Sequence, residues 1–245
     1  MRVPVLRALC TAAVFSVCGL GANAGVLFSD DFNRPNSANL GPAWTQVAGS
    51  MGILNNAAFT STAGANLAMV SGVNVPYTDA VLTVDVLQPT QSSLDYVALV
   101  YGAQDINHSL FVKVQEQGSN ANEYNYAAFY YGNNGSGIGP GFFLLTTPFT
   151  SARIGTWAVD ADTIRLGIDT DFDGVWDQTY DAAGISSLTL GTGVGLGMFS
   201  DATVLADNYV VSDKKAGQGN VPEPSSIAFG LGAVLGGVLL RRRRR

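Results

Sequence analysis

The sequence predicts an all-β sandwich or barrel held between two short apolar ends. Three observations carry that expectation. Runs of strand length, rich in Val, Ile, Thr, Tyr and Phe, recur from residue 80 to residue 212 with Gly, Asn, Asp and Pro between them. No segment between the two ends carries a long apolar stripe of period 3.6. Residues 25–216 suffice for one domain to bury its own core, and many short strands without helices make a sandwich or barrel.

At the front, Arg2 and Arg7 flank the start of a short apolar run, residues 8–20. Ala22-Asn23-Ala24 then forms an A-x-A cleavage site, Ala22 and Ala24 being the small residues that signal peptidase requires. Residues 1–24 are therefore expected to be a signal peptide, with the mature chain starting at Gly25. Both cysteines, Cys10 and Cys18, fall inside it, so the mature domain has no disulfide, thiol nucleophile or thiolate-bound zinc. Residues 80–87 contain β-branched side chains in partial alternation, 94–101 are mostly apolar, and 109–115 alternate clearly. Residues 123–131, 154–159, 163–168, 174–180, 193–199 and 204–212 continue the series of expected strands. Residues 133–141, Asn-Asn-Gly-Ser-Gly-Ile-Gly-Pro-Gly, read as a flexible loop and a candidate rim to a binding face. The domain is expected over 25–213, and 214–220 read as a linker.

The end of the chain is an address. Val221, Pro222, Glu223 and Pro224, with two serines, precede an apolar run at 227–240 and five arginines at 241–245. As a helix the apolar run is about 21 Å long, short of a bilayer core of roughly 30 Å. Flanking serines and snorkelling arginine stems extend it, and the arginines place the C-terminus on the cytoplasmic side. The order and the V-P-E-P residues resemble the PEP-CTERM sorting tail, residues 221–245. That resemblance implies recognition by an exosortase-type transpeptidase, a transient hold on the inner membrane, and passage to the cell surface or extracellular matrix.

Seven of the 13 basic residues sit in the two targeting segments. Residues 25–220 keep six basic residues against 18 acids, a formal charge of −12. Such a surface repels nucleic acid phosphate and anionic lipid. It suits an extracellular protein, a divalent cation or a neutral sugar polymer.

Two segments carry a second resemblance. Residues 28–36, Phe-Ser-Asp-Asp-Phe-Asn-Arg-Pro-Asn, lead to Leu40, Gly41 and Trp44, and residues 205–211, Leu-Ala-Asp-Asn-Tyr-Val-Val, close the domain. Both resemble the end strands of concanavalin A-like domains of the laminin-G/glucanase type. The resemblance implies an all-β, two-sheet antiparallel jelly roll with its first and last strands adjacent; by itself it implies no sugar binding.

Asp169, Asp171 and Asp173 alternate, followed by Gly174, Val175 with a free carbonyl, and Asp177. This matches a calcium loop through its ninth position, but the twelfth, a bidentate Glu in such loops, is Tyr180. The other reading is a plain β-hairpin turned at Asp-Gly, between 163–168 and 175–180. Calcium is the one cofactor the sequence raises. A second grouping, Asp31, Asn33, Asp207 and Asn208, falls where the chain ends should meet, as a cation site or as hydrogen bonds closing a sheet edge.

No enzyme is expected. Glycoside hydrolysis needs two carboxyl groups about 5–9.5 Å apart, and no strand here carries the E-x-D-x-x-E arrangement of the fold's glucanases. The mature domain's glutamates are Glu116 and Glu123 only, and His108 has no evident nucleophile beside it. A sugar platform is the alternative to catalysis. Strand period places Tyr124, Tyr126 and Tyr130 on one face, with Phe129 and Tyr131 on the other. The tyrosines either stack on sugar rings or serve as core and cross-strand pairs. The expectation is thus a non-catalytic protein of the cell envelope or extracellular polysaccharide matrix that binds carbohydrate. The alternatives are a matrix component without ligand and a degenerate glycan hydrolase.

Overall fold

The structure, a computed structural model, describes residues 25–60, 62–87, 95–118, 123–132, 135–200 and 204–214. The expected signal peptide, the tail with its V-P-E-P motif, and all of the linker but Lys214 lie outside these residues. The described chain forms β1 (Val26–Asp30), β2 (Trp44–Ala48), β3 (Met51–Leu54), β4 (Ala57–Thr60), β5 (Gly64–Asn74), β6 (Ala80–Val86), β7 (Tyr96–Tyr101) and β8 (Leu110–Gln115). It continues through β9 (Tyr124–Tyr131), β10 (Gly137–Phe149), β11 (Ala152–Ala158), β12 (Thr163–Asp169), β13 (Gln178–Ala183), β14 (Gly193–Ser200) and β15 (Leu205–Asp213).

The strands make two antiparallel sheets. The first runs β13-β12-β11-β6-β15-β4-β3, with β1 also paired to β15; the second runs β10-β9-β8-β7-β14-β5-β2. The two sheets enclose one core that includes Leu82, Val84, Leu99, Leu110, Phe129, Ile154, Leu166 and Leu196. Two buried tyrosines tie the sheets together. Tyr101 of β7 donates to the carbonyl of Thr156 at 2.6 Å, and Tyr209 of β15 donates to that of Gly195 at 3.2 Å. Each ring fills the core while its hydroxyl uses a carbonyl of the opposite sheet.

Residues 44–74 hold four strands absent from the expected series. β2 to β4 are four or five residues long, and the eleven-residue β5 is interrupted by Gly and Asn. Asn55 and Asn56 carry φ of 52° and 63° and join β3 to β4 with Leu54 facing Ala57. Two positive φ values in a two-residue loop are the geometry that matches the strand twist, and Asn tolerates them. The glycine-rich stretch 133–141 is also not all loop. β10 begins at Gly137, and positive φ at Gly139 and Gly141 lets this strand kink before Phe142 rejoins β9 opposite Ala128. The expected strand 174–180 starts only at Gln178, so residues 170–177 form a loop far longer than an Asp-Gly turn.

The first and last strands are adjacent. Val26 faces Ser212 and Asp30 faces Tyr209 along the β1–β15 ladder. The D-D-F-N-R segment and Trp44 lock this closure. Asp30 accepts hydrogen bonds from Arg34 Nη1 at 2.5 Å, Arg34 Nη2 at 2.9 Å, the Trp44 indole at 2.7 Å and the Phe32 amide at 2.9 Å. The Trp44 ring packs against Phe28, Phe32 and Tyr209 with centroids 5.1–5.9 Å away.

Trp176 closes the outer face of the first sheet. Gly155 of β11 and Gly167 of β12 face each other in register. A Cβ at Gly155 would lie 2.4 Å from Trp176 Cη2, and one at Gly167 would lie 2.6 Å from Trp176 Cδ2. The indole therefore rests in a slot that only two glycines leave open, beside Trp157 at 5.5 Å. Gly167→Val is expected to lift the indole into water. The loss should be about 1–2 kcal/mol of buried aromatic surface. Tryptophan emission should shift to the red and urea unfolding should move to lower midpoint. An unchanged emission maximum with an unchanged midpoint would contradict this packing.

Candidate functional site

Alternation makes the outer face of the second sheet. Leu67 on β5, Tyr96, Ala98 and Val100 on β7, and Phe111 on β8 form an apolar cluster separate from the main core. Met69, Ile106, Tyr130 and Phe199 pack over it. β7 is buried along its whole length because both of its faces are covered.

Toward β9 and β10 this face changes character. Lys113 of β8 is 8% exposed, with Nζ 4.1 Å from the ring centroid of Tyr96 and 4.8 Å from that of Tyr130. No carboxylate pairs with it among the described residues. Burial pushes the ammonium down to about 8. Tyr126 of β9 meets Phe142 of β10 edge-on at 5.6 Å. Phe142 is 54% exposed and Leu144, opposite Tyr126, is 66% exposed. The result is an open aromatic and aliphatic strip with a half-sealed cation at its inner edge.

Tyr124 does not belong to this strip. It is fully buried in the main core, stacked near Phe149 at 5.4 Å, with its hydroxyl on the Leu87 carbonyl. The β9–β10 register jumps between Leu144↔Tyr126 and Phe149↔Tyr124, so strict alternation fails at that point. Of the three expected platform tyrosines, Tyr126 and Tyr130 remain on the outer face. Lys113, Tyr96 and Phe142 were not foreseen. The readable signal for the lysine was a lone charge inside an otherwise apolar alternating strand.

The acidic loop follows β12 on the other sheet. Asp169, Asp171 and Asp177 each offer one carboxylate oxygen, and these oxygens lie within 4.8 Å of one another. Asp169 is raised above the usual carboxylate range, first by burial and against hydrogen bonds from the Gly174, Phe172 and Asp173 amides and the charge of Arg153. Asp177 is lowered by hydrogen bonds from the hydroxyl and amide of Thr170. Asp173 turns aside to accept the Val175 amide at 2.8 Å, and Val175 is exposed. This donor set is compatible with a hard divalent cation.

The second acidic grouping is spent on hydrogen bonds. Asp31 accepts the Asn33 amide at 3.1 Å, and Asp207 accepts the Asn208 amide at 2.8 Å. Asn208 in turn donates to Asp85, which also holds the Arg153 Nε at 2.8 Å. His108 pairs with Asp105 in an exposed loop, 2.8 Å from Nδ1 to Oδ2.

Two-layer order, β1 against β15 and an outer strip on the second sheet decide the fold comparison. The fold is a concanavalin A/galectin-like jelly roll. A Bacillus subtilis protein of unknown function with a galectin-like fold aligns at TM-score 0.54 and 8% identity, over 78% of this chain and 96% of that one. A carbohydrate-binding module from Bacillus subtilis aligns at TM-score 0.50 and 16% identity, over 69% and 95%. The catalytic domain of an endo-1,3-β-glucanase (laminarinase) from Thermotoga petrophila RKU-1 aligns at TM-score 0.50 and 11% identity, over 79% and 99%. No family model and no curated protein matches the sequence. A binding module and a hydrolase share this fold, so the fold does not choose between the two.

Proposed function

We propose that the chain is an exported, surface-sorted protein of the cell envelope or extracellular polysaccharide matrix whose jelly roll binds carbohydrate without cleaving it. One observation carries the binding part. Lys113, Tyr96, Tyr130, Tyr126 and Phe142 share one face, with a desolvated ammonium between the buried Tyr96 and the part-exposed Tyr130, and Tyr126 and the exposed Phe142 beyond them. Ring faces stack on the C–H faces of sugars, and the ammonium donates to hydroxyl oxygens.

The non-catalytic part is supported by what those strands present. Around Lys113 they offer aromatic, aliphatic and glycine positions and the amide of Gln115, and among the described strand residues of this face there is no acid. Hydrolysis of a glycosidic bond needs two. The export part is supported by the A-x-A site at Ala22 and Ala24 and by the motif Val221, Pro222, Glu223 and Pro224 before an apolar run and five arginines. On this reading signal peptidase and an exosortase-type transpeptidase process the chain, the inner membrane holds it transiently, and polysaccharide is its lasting partner.

A glycan array followed by calorimetry tests the binding. Tyr126→Ala is expected to weaken the best glycan about 10-fold, the effect of losing one well-placed ring contact worth roughly 1–2 kcal/mol. Absence of binding to any glycan leaves a matrix component without ligand. Turnover lost on substituting one carboxylate establishes a hydrolase instead. For sorting, Pro222→Ala with Pro224→Ala should trap the protein in the inner-membrane fraction at its unprocessed mass. Release of that variant at the processed mass defeats the sorting proposal.

A further inference from the structure

We propose that the loop joining β12 to β13 binds a calcium ion through Asp169, Asp171 and Asp177. The three carboxylates are arranged alike. Each ties one oxygen into the loop, and the other accepts no hydrogen bond among the described residues. Asp169 Oδ2 accepts the Gly174 amide at 3.0 Å, Asp171 Oδ1 accepts the Asp173 amide at 3.2 Å, and Asp177 Oδ2 accepts the Thr170 amide at 2.8 Å. Their orientation is thus fixed before any ion arrives.

The second oxygen of Asp169 points to a cation. Asp169 is 1% exposed, and its Oδ1 is buried with no hydrogen-bond partner. A buried acceptor left in that state costs about 1–3 kcal/mol, more when charged. Water does not reach it, and the Gly174 amide is taken by the other oxygen. A cation seated against it, reached from solvent past the exposed Asp171 and Asp177, removes that cost.

Size selects the ion. Calcium–oxygen distances are about 2.3–2.6 Å, so ligands across the ion stand up to roughly 5 Å apart. The three oxygens lie within 4.8 Å of one another, which fits that span. Magnesium needs distances of about 2.0–2.1 Å, a strict octahedron and the loss of tightly held water, so it suits this loop less. The bidentate glutamate of tight sites is missing, since its place is taken by Tyr180, which caps the Thr146 amide. The affinity should then be in the range of extracellular modules, Kd about 10⁻⁴–10⁻³ M.

The ion has a structural consequence. The same loop carries Trp176, the indole lying across Gly155 and Gly167. Calcium at its base holds the loop closed and that indole in place.

The test is thermal unfolding and calorimetry of the purified, chelator-treated chain titrated with calcium chloride, against magnesium chloride and sodium chloride of equal ionic strength. Ten millimolar calcium, roughly 10–100 times Kd, should raise Tm by about 5 °C. Asp171→Ala should abolish the shift while leaving the Tm of the chelated protein close to that of the parent, because Asp171 is exposed. No Tm shift and no binding heat with calcium would overturn the proposal. So would an equal shift with magnesium, or a shift that survives in Asp171→Ala.

Discussion

Asp30→Ala is expected to cost about 2–3 kcal/mol, the range for removing a charged acceptor from several hydrogen-bond donors in a part-buried site. That is a large share of the 5–15 kcal/mol a domain usually has, and it should lower Tm by roughly 10 °C. Asp30 is the meeting point of Arg34, the Trp44 indole and the Phe32 amide. Without it the guanidinium loses both of its carboxylate hydrogen bonds, and the indole N–H loses its acceptor. The ring cluster of Phe28, Phe32, Trp44 and Tyr209 then loses the anchor that orients it, at the place where first and last strands join. Near-ultraviolet circular dichroism should lose Trp44 signal along with the drop in Tm. A variant within 2 °C of the parent would show the knot to be dispensable.

The pH dependence follows from the same group. Burial opposes ionisation of Asp30, but the donors from Arg34, Trp44 and Phe32 outweigh it and hold its pKa below the ordinary value. The folded protein therefore binds this proton less readily than the unfolded chain. The stabilisation is complete above the unfolded value of about 3.9 and disappears as pH falls through the lower folded one. Asp30→Asn should accordingly be less stable than the parent at pH 7 and approach it as pH falls through the folded value.

Lys113→Met should do the opposite to stability and should remove binding. The ammonium is buried with two aromatic rings and, among the described residues, no carboxylate beside it, and burial brings it to about 8. A depression of that size corresponds to a penalty on the order of 3 kcal/mol at neutral pH. Cation–π contact with Tyr96 and Tyr130 returns about 1–2 kcal/mol of it. Methionine fills similar volume without the charge, so a gain of about 1–2 kcal/mol at pH 7 is expected. Between pH 8 and about 10.4 the unfolded chain holds this proton and the folded chain does not, so the parent gains stability as pH rises. The advantage of methionine should fade over that window. Glycan affinity should fall at least 10-fold at pH 7, since no other cation stands on the strip among the described residues. A residue that costs stability and carries binding is a site residue. If Lys113→Met is less stable than the parent and still binds glycan, the lysine is a packing element and the strip is not the binding face.

Parts of this molecule were legible because they depend on near neighbours in the chain. The runs at 80–87, 109–115 and 163–168 match β6, β8 and β12 to within a residue or two, since their β-branched alternation is local. The D-D-F-N-R segment with Trp44, and the Asp-Asn-Tyr near the end, marked the two edges that meet, because that knot uses specific donors and acceptors. The run at 94–101 looked merely apolar. Its reason lies in the second cluster of Leu67, Val100 and Phe111, which covers the outer face of β7. Strands β2 to β4 escaped notice because four- and five-residue strands gain their order from the sheet, and the eleven residues of β5 because Gly and Asn break up their apolar pattern.

The site was legible in part for the same reason. Alternation along β9 put Tyr126 and Tyr130 on one face correctly and Tyr124 wrongly, because a register jump against β10 is a property of two strands and not of one. The Asp-rich loop announced itself by spacing, yet which oxygens converge could not be read there. Asp173 caps a backbone amide while Asp177, at the loop's far end, joins Asp169 and Asp171. Trp176 had no assigned role, since its slot is made by glycines 21 and nine residues earlier that only the β11–β12 register brings together.

By itself the sequence determined the class of the fold, the strands with strong alternation, the cysteine-free and acidic domain, and the layout of the two ends, because composition, period and charge are properties of the chain alone. The tertiary structure decided which tyrosines face out, that Lys113 sits desolvated between two of them, and that one Asp169 oxygen is buried without a partner. Those are properties of distance and of lost water. They arise only when strands far apart in the chain are laid side by side, so no spacing along a single segment encodes them.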